Sequence, residues 1–316
     1  MDYILLIIGL ALLTFCADLL TRGCVGMAAR FRVPEFIIGL TVMAVGTSMP
    51  ELTVSMISAL KGSSSMAIGN VTGSNLFNTL VILGICSMIR PMTISKENVR
   101  RDIPICIGVS LLLWIATADR LFGISEVNTI NRVEGIILFA LYIATIIYSI
   151  RSGKKDSDAQ TESDEPQMGW GKIIIFIVIG LAGLIYGGNM CLESATAIAR
   201  AWGVSESIIA ITIVAAGTSL PELASSLSAI ISKKPSLALG NIIGSNVANI
   251  LLILGASASI KPLTMGTITQ LDLGMVVGSA VILLLSALVM GKRRITRVEG
   301  ALFFAAYVAY VVILMK

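Results

Sequence analysis

Ten long apolar segments occupy most of the sequence, and they determine what the chain can fold into. Backbone N–H and C=O groups that face lipid must pair within the chain, so apolar stretches of about 20 residues cross membranes as helices. Only 13% of the 316 residues are charged, about half the fraction usual for a soluble domain. We predict an all-α membrane protein with ten transmembrane helices, near residues 3–21, 36–60, 66–89, 103–118, 133–150, 172–199, 207–231, 237–260, 271–290 and 298–315.

Composition excludes several kinds of function. Lys and Arg exceed Asp and Glu by only 4 charges, which is too small an excess for a nucleic-acid-binding surface. Histidine is absent, so histidine general bases and histidine zinc sites are excluded. The five cysteines include no C-x-x-C pair, and we interpret them as buried small hydrophobic residues without disulfides. HExxH and GxSxG motifs are absent too, and we expect no enzymatic activity and no cofactor.

The chain repeats itself at a constant offset of 171 residues. Residues 35–51 (EFIIGLTVMAVGTSMPE) match residues 206–222 (ESIIAITIVAAGTSLPE) at 10 of 17 positions. Residues 69–78 (GNVTGSNLFN) match residues 240–249 (GNIIGSNVAN) at 6 of 10 positions. Such matches in one register indicate an internal duplication. Each copy contains five segments, and an odd number places the two copies in opposite orientations, which predicts the inverted repeats of a transporter.

One polar stretch separates the two copies. We predict an N-terminal five-helix repeat at 1–150, a linker at 151–171 and a C-terminal five-helix inverted repeat at 172–316. Loops on the linker's side of the membrane carry 17 Lys and Arg, and those on the opposite side carry 6. Because positively charged loops stay in the cytoplasm, we expect a cytoplasmic linker and both termini outside. We expect the plasma membrane, contact with its lipid bilayer, and no obligate protein partner.

Each half carries the acidic motif Gly-Thr-Ser-x-Pro-Glu at membrane depth, ending at Glu51 and at Glu222. Proline removes one helical hydrogen bond and leaves a carbonyl that must face protein, water or a cation. A charged side chain in mid-membrane costs about 2.5–3.5 kcal/mol on insertion scales, so we interpret both glutamates as functional. The structural alternative is a kinked helix whose hydroxyls bond their own backbone. That alternative accounts poorly for two equivalent glutamates.

A second duplicated motif, Gly-Asn-x-x-Gly-Ser-Asn-x-x-Asn, follows each acidic motif. Its serine and last asparagine lie four residues apart and share a helix face. These pairs are Ser74 with Asn78 and Ser245 with Asn249. Together with the carboxylates and freed carbonyls they predict an all-oxygen site, which Ca²⁺ prefers. The alternative is a helix-packing motif, and we favour packing for its glycines and its other asparagines: Asn70, Asn75, Asn241 and Asn246.

In these two motif pairs the sequence resembles the cation/calcium exchanger superfamily, specifically its sodium/calcium exchanger branch, over almost the whole chain. The resemblance implies ten helices, with the second and third of each repeat forming the ion-binding core and the first of each repeat sliding against it. It implies calcium at Glu51, Glu222, Thr47 and Thr218. It implies sodium at those residues and at Ser48, Ser219, Ser74, Ser245 and the carbonyls of Ala44 and Ala215, with Asn78 and Asn249 as central polar positions.

The resemblance also implies a function, the electrogenic antiport of sodium against calcium by alternating access. An empty site with two negative charges is prohibitively costly to carry through a low-dielectric barrier, so each transport step needs a bound ion. A proton/calcium (cation/H⁺) exchanger is the alternative, because the two glutamates can release protons. An ion channel needs a continuous pore, which two opposed broken helices fit less well.

Two positions discriminate within the superfamily. Potassium-dependent members, and some prokaryotic ones, have Asp where this chain has Asn249, and the resemblance therefore implies no potassium requirement. Proton-coupled relatives have Asn after the glycine of the acidic motif, where this chain has Thr47 and Ser48. We therefore expect sodium rather than protons to be the coupling ion.

Overall fold

The computed structural model describes residues 1–120, 123, 126–157, 168–204, 215–266, 268–290 and 293–314. Most of the predicted linker (158–167) and the beginning of the predicted seventh segment (207–214) lie outside the described residues. The described chain is almost entirely helical. In order, its helices are α1 (Asp2–Phe31), α2 (Glu35–Thr47), α3 (Met49–Lys61), α4 (Ser64–Ile89), α5 (Ile103–Ala116), α6 (Arg132–Ser157), α7 (Trp170–Ala201), α8 (Ala215–Gly217), α9 (Leu220–Ile231), α10 (Pro235–Ile260), α11 (Gln270–Leu285) and α12 (Arg297–Leu314).

Seven of the described helices are long and apolar enough to cross a membrane. The number becomes eight if α2 and α3, which meet at a bend of 47°, form one span. A shorter apolar helix, α9, follows the residues that are not described. Each predicted segment overlaps a described helix, but ten spans arranged as two inverted repeats stay a prediction.

Wide π-helical turns interrupt three of the helices. They lie at Gly39–Met43 in α2, at Phe77–Ile82 in α4 and at Asn249–Leu254 in α10. The last two turns occupy equivalent places in the two halves, since the repeat offset takes Asn78 to Asn249. Such turns are rare and are frequent at functional sites, because they re-aim the side chains they carry.

The described chain divides into two compact units. The first unit consists of Met1–Pro50, Ile147–Gly244 and Val308–Lys316, and the second of Glu51–Ile146 and Ser245–Tyr307. Each unit thus draws on both halves of the sequence.

Two long antiparallel helices, α1 and α7, pack against each other in the first unit. A methyl group on Gly9 would lie 3.2 Å from the backbone nitrogen of Cys191, and one on Gly180 would lie 2.8 Å from the backbone nitrogen of Leu20, the residue equivalent to Cys191. Glycine at these positions lets the two backbones approach closely. The repeat offset takes Gly9 to Gly180, so equivalent positions of the two halves make similar contacts in this pair.

The second unit contains two short antiparallel strand pairs. Strand β1 (Met92–Thr93) pairs with β4 (Arg294–Ile295), and β2 (Thr129–Ile130) pairs with β3 (Leu263–Thr264). Each pair therefore joins a strand from one half of the sequence to a strand from the other half. The repeat offset takes β1 to β3. The Arg-Val-Glu-Gly sequence that follows β2 at 132–135 and β4 at 297–300 makes those two strands equivalent as well, so the two pairs exchange equivalent partners.

Candidate ion-binding site

Glu222 lies in the first turn of α9, in the first unit. Its side chain is 1% exposed, and its Oε1 accepts a hydrogen bond from Ser48 Oγ at 2.7 Å. Ser48 lies at the break between α2 and α3, with φ −83° and ψ 11°. The equivalent Ser219, which precedes α9, has nearly the same backbone, with φ −90° and ψ 10°. The duplicated proline motif thus breaks both helices in the same way and places hydroxyls and a carboxylate at the breaks.

Thr47 ties the end of α2 to α10 within the same unit. The side chain is fully buried, and its hydroxyl lies 3.3 Å from both the Ala44 carbonyl and Asn241 Oδ1. Asn241 Nδ2 in turn donates to Ser225 Oγ at 3.1 Å and to Ser226 Oγ at 3.0 Å. This polar network fixes the Thr47 hydroxyl next to a backbone carbonyl, and both oxygens are of the kind that hard cations bind.

Glu51 occupies the equivalent place in the second unit. Its side chain is 0% exposed, and Ser74 Oγ lies 3.5 Å from its Oε1, which is a long hydrogen bond. Asn70 Nδ2 donates to the Glu51 carbonyl at 3.3 Å and to Ser55 Oγ at 3.1 Å. These bonds agree with the packing interpretation of Asn70, because its amide holds protein groups.

An asparagine ladder crosses the second unit close to the π-helical turns of α4 and α10. Asn249 Nδ2 donates to Asn75 Oδ1 at 2.9 Å, and Asn75 Nδ2 donates to the Asn246 carbonyl at 3.2 Å. Asn246 Nδ2 donates to Thr79 Oγ1 at 2.8 Å. The ladder connects α4 with α10 by side-chain hydrogen bonds, as polar packing groups do in membrane helices.

Several buried oxygens of the second unit have no hydrogen-bond partner among the described residues. They include the side-chain oxygens of three predicted ligands: Asn78, Ser245 and Asn249. Buried polar groups are nearly always satisfied in proteins, so each exception needs an explanation. Carboxamide and hydroxyl oxygens without a protein partner are suited to bind a cation.

The remaining predicted ligands lie in the first unit. Thr218 and Ser219 are buried in the turn before α9, Ala44 is buried in α2, and Ala215 begins α8. The first unit thus holds Ala44, Thr47, Ser48, Ala215, Thr218, Ser219 and Glu222, and the second holds Glu51, Ser74, Asn78, Ser245 and Asn249. Within the described residues, no group of three or more His, Cys, Asp or Glu is arranged to hold a metal ion.

Sequence reasoning missed four hydroxyls that take part in these hydrogen bonds, those of Ser55, Ser225, Ser226 and Thr79. A signal for Ser55 and Ser226 was available, because the repeat offset takes one to the other and each lies four residues after a motif glutamate. No such signal existed for Thr79 or Ser225, because their equivalents in the other half are Ile250 and Val54.

Comparison with known proteins identifies the family of the chain. The family model described as sodium/calcium exchanger protein matches residues 1–151 and 172–316. The chain is 35% identical to the putative antiporter CaxA of Alkalimonas amylolytica, over 97% of this chain and 96% of that protein. It is 30% identical to the sodium/calcium exchanger MaX1 of Methanosarcina acetivorans, over 99% and 98% of the two chains.

The fold is also similar to that of a solved exchanger. A structure of the sodium-calcium exchanger NCX_Mj matches with a TM-score of 0.85 and 28% identity, over 98% of each chain. The protein is therefore a predominantly helical membrane protein with an exchanger fold. Because the family model covers both halves and these relatives align over nearly their whole length, the chain belongs to the sodium/calcium exchanger protein family.

Proposed function

We propose that the protein exchanges sodium for calcium across the plasma membrane by alternating access, in a cycle that moves net charge. The observation that carries the proposal is the pair of buried glutamates at equivalent positions, Glu51 and Glu222, each within hydrogen-bonding distance of a serine hydroxyl. Buried carboxylates need a compensating charge, and a transported cation supplies it. The relative MaX1, named a sodium/calcium exchanger, supports sodium as the coupling ion.

The predicted ligands offer the oxygen donors that hard cations take. We propose that calcium binds Glu51, Glu222, Thr47 and Thr218, and that sodium ions also use Ser48, Ser219, Ser74, Ser245 and the carbonyls of Ala44 and Ala215. Asn78 and Asn249 complete the set. The buried oxygens of Asn78, Ser245 and Asn249 that have no partner among the described residues support their place in it.

Charge explains why transport of one ion is coupled to transport of the other. Without a cation, two carboxylates would have to pass through a low-dielectric barrier, and this step is too costly to occur. A bound calcium ion or bound sodium ions balance that charge, so each transit with calcium is matched by a return with sodium.

We propose ten transmembrane helices in two inverted repeats, with both termini outside and the linker in the cytoplasm. The exchange of equivalent partners supports the inversion: β1 pairs with β4 while β3 pairs with β2, and the contacts of Gly9 resemble those of Gly180. The excess of Lys and Arg on the linker's side supports the orientation.

The decisive experiment is uptake of radiolabelled calcium into proteoliposomes that contain the pure protein. The vesicles are loaded with sodium and diluted into buffer that contains neither sodium nor potassium. We expect uptake that requires internal sodium, does not require potassium, and responds to an imposed membrane potential. Uptake that is indifferent to sodium but driven by a pH gradient would overturn this proposal and identify a cation/H⁺ exchanger.

A further inference from the structure

In the asparagine ladder of the second unit, the two central asparagines, Asn78 and Asn249, make different hydrogen bonds. Asn249 Nδ2 donates to Asn75 Oδ1, and the repeat offset makes Asn78 and Asn246 the equivalent pair. That equivalent bond is not formed, because Asn78 Oδ1 and Nδ2 are both buried without a partner among the described residues. Asn249 is thus held by its amide nitrogen, whereas the Asn78 amide is held at neither end by the described part of the chain.

Thr79 accounts for this difference. Its hydroxyl accepts the hydrogen bond of Asn246 Nδ2 at 2.8 Å, whereas the equivalent Ile250 has no acceptor to offer. A carboxamide carries its oxygen and its nitrogen on opposite sides. Because Asn246 directs its Nδ2 toward Thr79, its Oδ1 has no hydrogen-bond partner among the described residues. The equivalent oxygen, Asn75 Oδ1, accepts a hydrogen bond from Asn249.

A symmetric arrangement is available to the ladder if the Thr79 hydroxyl is removed. Asn75 Nδ2 donates to the Asn246 carbonyl, so the equivalent acceptor for Asn246 Nδ2 is the Asn75 carbonyl. In that arrangement Asn246 Oδ1 accepts from Asn78 Nδ2, and both central asparagines are held by their nitrogens. The Thr79 hydroxyl is thus the acceptor that makes the two asparagines unequal, next to the Cys106 thiol, which also interacts with the Asn246 side chain.

We infer that Thr79 is a positioning residue that leaves Asn78 an adjustable oxygen ligand while Asn249 stays fixed by Asn75, and thereby sets the preference of the site between calcium and sodium. The inference rests on the proposed function, in which both asparagines bind the transported cations. A fixed amide oxygen attracts a divalent ion about twice as strongly as a monovalent ion at the same distance. An amide that can turn away loses part of this difference, so an adjustable Asn78 makes the site less selective for calcium.

The test compares Thr79→Val, which keeps the shape and removes the acceptor, with Thr79→Ser, which keeps the acceptor. Calcium uptake into proteoliposomes gives the KM for calcium and the KM for sodium. We expect Thr79→Val to lower the KM for calcium relative to that for sodium by about three- to tenfold, the size of one neutral hydrogen bond. Thr79→Ser and the matched control Ile250→Val should keep the ratio of unsubstituted protein.

A second variant predicts the opposite shift. Ile250→Thr offers Asn75 Nδ2 a hydroxyl acceptor, as Thr79 does for Asn246. We expect the Asn75 side chain to turn toward this hydroxyl, so that its Oδ1 no longer accepts from Asn249 and the Asn249 amide becomes adjustable as well. We expect the KM for calcium to rise relative to the KM for sodium by about threefold or more. Combining Thr79→Val with Ile250→Thr exchanges the roles of the two halves and should return the ratio toward its original value. Damage to packing alone does not produce opposite shifts that cancel.

Equal KM ratios in Thr79→Val and Ile250→Thr, or shifts in the same direction, would overturn the inference and leave sodium/calcium antiport standing. If Thr79→Val does not fold, Ile250→Thr decides alone, because it adds a hydroxyl and leaves the bond between Thr79 and Asn246 in place. Absence of sodium-dependent calcium uptake in the unsubstituted protein would instead overturn the proposed function, and the inference with it.

Discussion

Glu222 and Ser48 form a hydrogen-bonded pair in the first unit. Ser48 Oγ lies 2.7 Å from Glu222 Oε1, and both side chains are buried. Replacing the glutamate by glutamine keeps its shape and removes its charge. Replacing the serine by alanine keeps the charge and removes a donor. These two changes therefore separate the role of charge balance from the role of ion coordination.

We expect Glu51→Gln and Glu222→Gln each to lower sodium-dependent calcium uptake by at least about tenfold, because one of the two charges that balance calcium is lost. The measurement is uptake into sodium-loaded proteoliposomes. Glu193→Gln is the control, since it makes the same chemical change at an exposed position of α7 and should keep uptake. Normal uptake in either motif variant would refute the assignment of that glutamate.

Ser48→Ala should raise the KM for sodium by about tenfold, the effect of one hydrogen bond to a charged group, and change the maximal rate less. The matched control is Ser110→Ala. That hydroxyl is also buried, but it bonds the Cys106 carbonyl of its own helix. A KM for sodium that is equal in both variants would show that the Ser48 hydroxyl does not help to bind sodium.

At the scale of elements, the apolar runs predicted the positions of the helices well but made α1 too short. The run ends at residue 21, because Arg22 and later charges interrupt it, yet α1 continues to Phe31. One face of this extension is covered: Cys24 is buried, and a methyl group on Gly23 would lie 2.8 Å from the Ile177 side chain on α7. Tertiary packing stabilises the last turns of α1 although their composition is mixed, and a count of apolar residues does not register such packing.

The sequence duplication likewise predicted only part of the site. An offset search finds what the two halves share, and it gave Glu51, Glu222 and the paired serines and asparagines as predicted ligands. It could not find Thr79, because isoleucine stands at the equivalent position of the second half. Neither could it pair Ser48 with Glu222, because that bond depends on how helices of both halves pack.

Close packing of α2 against α10 in the first unit gives a prediction at this scale. A methyl group on Gly240 would overlap the Phe36 carbonyl oxygen, and backbone cannot move aside cheaply. We expect Gly240→Ala to lower the melting temperature of the purified protein by about 2–4 °C, as overpacking costs about 1–3 kcal/mol. Size-exclusion chromatography after heating measures this change.

The control for that substitution is Gly278→Ala, in the interior of α11. No described atom lies within 4 Å of the methyl group it would add. Both substitutions raise helix propensity equally, so a difference between them reports only the contact. An unchanged melting temperature in Gly240→Ala would show that α2 and α10 do not need this close approach.

The orientation of the whole molecule can be tested with introduced cysteines. All five native cysteines are buried, so they contribute little background to labelling by an impermeant thiol reagent. Ser63 and Lys96 are both exposed in loops that the charge distribution assigns to opposite sides of the membrane. In intact cells we expect the reagent to label Ser63→Cys and not Lys96→Cys, and to label both after the membrane is opened. The reverse pattern in intact cells would invert the proposed topology.

The crossed strand pairs have a consequence for biosynthesis. While the first half leaves the ribosome, β1 and β2 have unpaired edges, because their partners β3 and β4 belong to the second half. The second unit closes only when translation has passed Ile295, near the end of the chain. An incomplete chain therefore leaves β1 and β2 without their native partners. We expect the second unit to reach its native packing only when almost the last helix has been made.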